Sequence, residues 1–235
     1  MKESTKNSLT LSREELQRTA ETRVLEISKA FKEGLEFLEK YPKSVTFFGA
    51  SQFTTSHPYY ENARELSSLI VKKLGYAVFS GGGPGIMEAA NRGAYEAGGE
   101  SPGLLIQLSE GQVTNPFVTA SFASYYFFVR KVLLTFSAEA FIFYPGGFGT
   151  LDEFFEILTL IQTRKIVDVP IICVGSEYWD QLREFMEREQ LGRGTVRPED
   201  LNLFQIIDDH DKIIDIIKNV PVPADLPIAE TTNTS

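Results

Sequence analysis

Two stretches of this chain combine glycine with residues able to do chemistry. Gly81-Gly82-Gly83-Pro84-Gly85 follows one apolar run, and Pro145-Gly146-Gly147-Phe148-Gly149-Thr150 follows another. Glycine lets backbone N–H groups approach an anion without a Cβ in the way, and a helix N-terminus behind the turn adds partial positive charge. Two such turns can hold one phosphate between them. Neither is a standard nucleotide fingerprint: residues 81–86 fail G-x-G-x-x-G at the last position, and G-x-x-x-x-G-K-[ST] occurs nowhere. That disfavours a dinucleotide dehydrogenase or a P-loop NTPase, and each turn taken alone also fits a plain strand-to-helix connection.

Arg130 and Lys131 sit in the apolar run Phe127-Phe128-Val129-Arg130-Lys131-Val132-Leu133-Leu134. Unpaired burial of a charge is expensive, so Arg130 should face an anion, unless both side chains snorkel to water. Glu153 supplies the best carboxylate, with Asp152 beside it and Glu156 one turn further along. Thr150-x-x-Glu153 also reads as a helix capping box. The alternative is chemical: an acid one turn beyond a phosphate-binding turn stands about one sugar away from the phosphate, where a glycosidic bond would lie.

The elements that must position these residues alternate. Ser12 and Glu15 suggest a capping box, after which Leu16, Ala20, Val24, Ile27, Phe31, Leu35 and Leu38 recur at steps of three or four, predicting a long amphipathic helix that stops near Tyr41-Pro42. Strands are then expected over 44–48, 76–80, 104–108, 138–144 and 169–174, with helices over 58–74, 84–97, 124–136, 150–163, 177–190 and 209–218. Pro84 suits the first position of its helix and Thr150 a cap. Residues 109–115 read as a polar loop over the sheet edge, and the tail with Pro221, Pro223 and Pro227 as poorly ordered. Strands separated by helices need right-handed crossovers, so the predicted fold is α/β: a Rossmann-like, doubly wound parallel sheet with helices on both faces. The division expected is a helical extension over 1–42, a nucleotide-binding catalytic domain over 43–220 and a flexible tail over 221–235.

Composition narrows the function classes. The chain has 235 residues, 43% hydrophobic, with 18 Phe and 9 Tyr, enough for a sizeable core. Its 32 acidic and 23 basic residues leave a net charge of -9, which repels nucleic-acid polymers and anionic membranes. No apolar run approaches the roughly 18 residues of a membrane span, and neither a signal peptide nor an anchor is read. Cys173 is the single cysteine, in an apolar run, and His57 and His210 are the only histidines. A reducing cytoplasm and no metal site are the expectations.

The same motifs carry a family resemblance. Pro145-Gly146-Gly147-Phe148-Gly149-Thr150-Leu151-Asp152-Glu153 matches PGGxGTxxE, and with Arg130-Lys131 upstream it resembles the Lonely guy family of cytokinin-activating phosphoribohydrolases, often labelled lysine decarboxylase-like. The resemblance runs from about Val45 to Gly175 and includes Gly49-Ala50-Ser51, residues 81–87 and the helix around Thr159. It implies cofactor-free hydrolysis of the N-glycosidic bond of a nucleoside 5′-monophosphate, AMP or an N6-modified AMP. Arg130 and Glu153 would be catalytic; Gly49, Ser51, Gly82, Gly83, Lys131, Gly146, Gly147, Phe148, Gly149, Thr150 and Thr159 would bind substrate. Plant-type members have a shorter N-terminus and GGGSxGLMG where this chain has residues 81–87 followed by Glu88, and Gln112 falls where their base-side acid would align. No lysine stands in a recognisable Schiff-base motif, so the decarboxylase label finds no support. A carrier of a nucleotide or of a phosphorylated, molybdenum cofactor-like group is the alternative, and an interaction protein docking through its first helix is a third. Surplus apolar surface on the helices over 16–38 and 124–136 predicts a homodimer, as the resemblance does.

Overall fold

The computed structural model describes residues 13–107, 114–136 and 138–220, with side chains from residue 20 onward. Helix α1 (Arg13–Leu38) is followed by β1 (Ser44–Phe48), α2 (Pro58–Leu74), β2 (Ala77–Phe79), α3 (Ile86–Glu96), β3 (Gly103–Ile106), β4 (Ser121–Ser124), α4 (Phe127–Thr135) and β5 (Phe141–Phe143). Then come α5 (Phe148–Gln162), β6 (Ile171–Cys173), α6 (Ser176–Phe185), β7 (Gln205–Ile206) and α7 (His210–Lys218). Five strands pair in the order β2-β1-β5-β6-β7, all parallel, and β3 pairs with β4, also parallel. A bridge between Ser80 and Gly103 continues one sheet into the other. The chain therefore reverses its direction of travel across the sheet between β1 and β5, the switch point beyond whose carboxyl ends doubly wound sheets bind ligands.

Side-chain alternation along the strands builds two cores. Val45, Phe47, Val78, Ile142 and Ile172 point to the face covered by α2, α3 and α7. Phe48, Phe79, Phe141, Phe143 and Cys173 point to the face covered by α1, α4, α5 and α6. Phe47, Phe79, Phe141, Phe143 and Phe154 are fully buried, each contributing roughly 1.5–3 kcal/mol. Helix α3 lies close on α2 because a Cβ at Gly93 would fall 2.0 Å from the Arg64 carbonyl.

The strand-and-helix alternation predicted from the sequence is present, with four local differences. Helix α3 begins at Ile86, not at Pro84: Gly85 caps it at φ 71°, ψ -130°, a turn that lets the Ile86 N–H reach the Ala50 carbonyl at 3.0 Å. Residues 121–124 form an edge strand where none is expected from the sequence, so the helix expected over 124–136 begins only at Phe127, and β7 is a further edge strand. Both are short and partly exposed, so neither leaves a buried run to read. The helix expected over 177–190 ends as α6 at Phe185 and continues as a π-helical turn, Met186–Leu191. In α1, Ile27, Phe31, Leu35 and Leu38 pack on the core, whereas Ala20 and Val24 of the same predicted stripe are exposed. Ser12, most of the polar stretch 109–115, Gln112 and the proline-containing tail lie outside the described residues. Among the described residues no helix is long and apolar enough to cross a membrane.

Candidate active site

The turns after β1, β2 and β5 meet at the switch point. The Ala50 N–H donates to the Pro145 carbonyl at 3.0 Å, and the Ala50 carbonyl accepts from Ile86. A cavity of about 370 Å³ opens beside this junction. Its walls include Gly49 and Ser51 after β1, Gly81 after β2, Arg130 on α4, and Gly147 to Thr150 with Glu153 on α5. Residues from four separate segments thus converge on one concave surface.

Arg130 is held from two sides. Its Nε donates to the Leu104 carbonyl at 2.7 Å, and its guanidinium lies 5.9 Å from the centre of the Phe127 ring. Gly81 makes room for it, since a Cβ there would fall 2.3 Å from Nη2. Burial pulls Arg130 below the ordinary arginine range, and the Glu153 charge opposes that.

Glu153 projects from the second turn of α5 and is 6% exposed. Its Oε2 is buried and accepts no hydrogen bond among the described residues. Burial pushes its carboxyl up to about 7; Lys131 and Arg130 oppose the rise, and Glu156 and Asp152 add to it. The capping-box alternative fails on geometry. Helix α5 starts at Phe148 with Gly147 as its N-cap, so Thr150 is inside the helix, and its N–H donates to the Gly147 carbonyl at 3.1 Å. The expected cap at Thr150 is therefore replaced by one at Gly147.

The two glycine turns differ in what their backbones are free to do. The Gly82 N–H donates to Ser80 Oγ at 2.9 Å, its carbonyl accepts from the Asn115 N–H, and the Gly83 carbonyl accepts from Asn115 Nδ2. Asn115 Nδ2 and Ser80 Oγ both donate to Asn91 Oδ1, at 3.0 and 2.6 Å, closing a buried polar cluster behind the turn. On the other turn, the N–H groups of Phe148 and Gly149 lie in the first turn of α5, where the helix supplies no acceptor. A Cβ on Gly147 or Gly149 would meet nothing within 4 Å. Those two glycines leave space rather than fill a tight contact.

Lys131 and Thr159 are not among the residues that line this cavity. Lys131 Nζ donates to Asp152 Oδ2 at 2.7 Å and lies 2.6 Å from Glu156 Oε2, across a shallow outer groove that Thr159 also lines. Thr159 Oγ1 donates to the Phe155 carbonyl. Phe148, which is 94% exposed, and Asp152 line both this groove and the cavity. Sequence reasoning did not single out Met87 or Phe127, which line the cavity; in the sequence they have the pattern of ordinary helix residues. Among the described residues no three potential metal ligands come together.

A family model described as "possible lysine decarboxylase" matches residues 87–217, more than half of the chain and the part that carries Arg130 and Glu153. The cytokinin riboside 5′-monophosphate phosphoribohydrolase LOG5 of Arabidopsis thaliana is 26% identical over 172 residues, 72% of this chain and 75% of that protein. The cytokinin riboside 5′-monophosphate phosphoribohydrolase of Rhodococcoides fascians is 26% identical over 159 residues, 67% of this chain and 80% of that protein. Among solved structures, the molybdenum cofactor binding protein of Rippkaea orientalis superposes with a TM-score of 0.56 at 24% identity, covering 74% of this chain and 93% of that one. The molybdenum cofactor carrier protein of Chlamydomonas reinhardtii does so with a TM-score of 0.56 at 20% identity, covering 76% and 97%. At these identities the structural likeness is one of fold. With the family model spanning its catalytic-looking segment and phosphoribohydrolases among its relatives, this chain belongs to the Lonely guy, or lysine decarboxylase-like, family.

Proposed function

We propose that this protein hydrolyses the N-glycosidic bond of a nucleoside 5′-monophosphate, releasing the free base and ribose 5-phosphate. The observation that carries the reading is Glu153: a buried carboxylate with an oxygen unpartnered among the described residues, opposite a half-buried arginine and one turn beyond open backbone N–H groups. The phosphate rests against the N–H groups of Phe148 and Gly149 and the Thr150 hydroxyl, at the positive end of α5. Gly49 and Ser51 line the same cavity, and Gly146 packs behind it on Thr150. The sugar then lies toward Glu153, where charge develops as the C1′–N bond breaks. Water supplies the hydroxyl that joins C1′, and its proton balances the departing base. Glu153, as carboxylate, stabilises the oxocarbenium-like sugar or orients that water, and Arg130 orients the substrate and balances Glu153. Binding energy from the remote phosphate fixes the reacting centre.

The relatives' names support this chemistry, and AMP is the first substrate to test. Incubation of the purified protein with a panel of nucleoside monophosphates, followed by chromatography for free base, should detect release from at least one. Release from none would leave the second reading, a carrier that binds a nucleotide or phosphorylated cofactor through the same turn without turnover. The shared fold of the molybdenum cofactor carriers supports that alternative.

The exposed Val24 and Leu25 of α1, with Tyr125, Phe128 and Phe148, support a homodimer. Light scattering at micromolar concentration should give twice the monomer mass. The lone, buried Cys173 supports a cytoplasmic setting.

A further inference from the structure

Helices α4 and α5 form the two walls of the candidate site, yet open space lies between them. Arg130 and Phe127 of α4 and Glu153 of α5 line the cavity, and Lys131 of α4 and Thr159 of α5 line the shallow outer groove. Arg130 and Glu153 must nevertheless hold a fixed relation, and among the described residues no ion pair joins them directly. What bridges the gap is their immediate neighbours. Lys131, next to Arg130, reaches Asp152 Oδ2 at 2.7 Å and Glu156 Oε2 at 2.6 Å. Asp152 and Glu156 are four residues apart on α5, one turn of the helix, and Glu153 lies between them in sequence. The Lys131 side chain is only 16% exposed, against 55% for Asp152 and 29% for Glu156. Its ammonium is therefore tied down by two carboxylates and lines the outer groove, not the cavity that Arg130 lines.

We propose that Lys131, Asp152 and Glu156 form a positioning clamp that ties α4 to α5 and fixes Arg130 opposite Glu153, with Lys131 bound to this clamp rather than to the ligand's phosphate. The inference rests on the phosphoribohydrolase reading only for its kinetic consequences; the clamp itself is a property of the free protein. It also sets the electrostatics of the site. The charged groups facing Glu153 are Arg130 and Lys131 from α4 and Asp152 and Glu156 from its own helix. Burial pulls the Lys131 pKa down, but its bonds to Asp152 and Glu156 outweigh this and hold it above the ordinary lysine range. Lys131 thus remains a cation at neutral pH, offsetting two carboxylates that would otherwise disfavour ionisation of Glu153.

The test combines carbon-13 NMR titration of the Glu153 carboxyl in the full-length free protein with steady-state base release from AMP. Lys131→Met should move the Glu153 titration to higher pH and lower kcat by about 10-fold or more, with KM changed less than about 3-fold. Adding Asp152→Asn and Glu156→Gln to Lys131→Met should return the titration toward the wild-type value and recover part of kcat. A phosphate ligand would behave otherwise: Lys131→Met would raise KM about 10-fold or more with kcat changed less than about 3-fold, and the added changes would recover nothing, whereas the Glu153 titration would move under either reading because the Lys131 charge is lost in both. That result overturns the clamp. Should Lys131→Met not fold, Asp152→Asn with Glu156→Gln alone decides. The clamp requires a lowered Glu153 titration and a reduced kcat with AMP affinity kept, and an unaltered titration and kcat refute it. If the wild-type protein releases no base, the functional reading fails while calorimetric AMP affinity still judges the clamp: Lys131→Met should keep it within about 3-fold, and a loss of about 10-fold or more overturns the clamp.

Discussion

The two glycine-rich turns look alike in sequence and differ in what their glycines are for. In the turn after β2, glycine is demanded by packing. Gly81 admits the Arg130 guanidinium, Gly82 takes φ 72° with its missing Cβ 2.1 Å from Leu105 Cδ2, and Gly85 takes φ 71° with its missing Cβ 2.2 Å from the Ala50 carbonyl. In the turn after β5, Gly146 alone is crowded, 2.2 Å from Thr150 Oγ1, while Gly147 and Gly149 border open space. The first turn seats the arginine and closes on the Ser80, Asn91 and Asn115 cluster. The second presents backbone donors to the cavity. Glycine content therefore marks close approach of something, and only the surroundings decide whether that something is the protein itself or a ligand.

This contrast can be broken by four measurements. The largest effect is expected at Gly85, where alanine meets both a Gly-only backbone conformation and a carbonyl oxygen. Gly85→Ala should cost about 3 kcal/mol or more, read by urea unfolding. A variant as stable as the parent would remove the distinction between the turns. Next, Glu153→Gln keeps the size of the side chain and removes the charge, so kcat should fall by about 100-fold or more while AMP binding is largely retained. Turnover at the parental rate would return Glu153 to a structural role.

Gly147→Val is the complement of the Gly85 change. Gly147 is at φ -88°, a conformation valine accepts, and its Cβ meets no neighbour. The variant should therefore melt within a degree or two of the parent while losing at least about 10-fold in AMP affinity by calorimetry, because the side chain fills the space beside the α5 N–H groups. Retained affinity would move the phosphate elsewhere, and unfolding would make this turn resemble the first.

The smallest effect concerns pH. Burial raises the Glu153 carboxyl from the ordinary carboxylate range to about 7, so the folded state holds its proton more tightly than the unfolded chain. Ionising this buried group costs nothing below the unfolded pKa and its full penalty applies above about 7, so stability falls as pH rises between those limits. Glu153→Gln should accordingly melt higher than the parent at pH 8, with the difference vanishing near pH 4. Base release by the parent should rise as pH passes through about 7, if the carboxylate is the working form. A melting difference independent of pH would mean that the carboxyl is not held in the protonated form by burial.

Much of the architecture was legible because burial on both faces leaves a mark in the chain. The runs that became β1, β2, β5 and β6 are nearly continuous stretches of Val, Ile and Phe, as a sheet covered by helices on both sides requires. The edge strands β4 and β7 were not legible, since Ser121–Ser124 and Gln205–Ile206 are covered on one side at most. At the site, the pairing of Arg130 with an acid could be anticipated from the cost of burying a charge, and Glu153 from its spacing after the glycine turn. The direction of Lys131 could not: adjacent residues on a helix point about 100° apart, and the neighbours that decide between ligand and clamp, Asp152 and Glu156, arrive from another helix. Nor could the fate of the Gly82 N–H, which depends on Asn91 and Asn115 folding back behind the turn.

The sequence by itself determined what is written in local order: which segments are strand or helix, where the chain must turn, and which residue types are present to hold a phosphate and stabilise charge. Periodicity and glycine spacing encode these because they depend on residues a few positions apart. Only the tertiary structure decided which donors are already satisfied, which glycines border empty space, and which cation faces the cavity. Those outcomes depend on hydrogen-bond and ion-pair partners many residues away, such as Leu104 for Arg130, Asn115 for Gly83 and Asp152 for Lys131, brought within 3.0 Å by the packing of elements distant in the chain and by nothing in its local order.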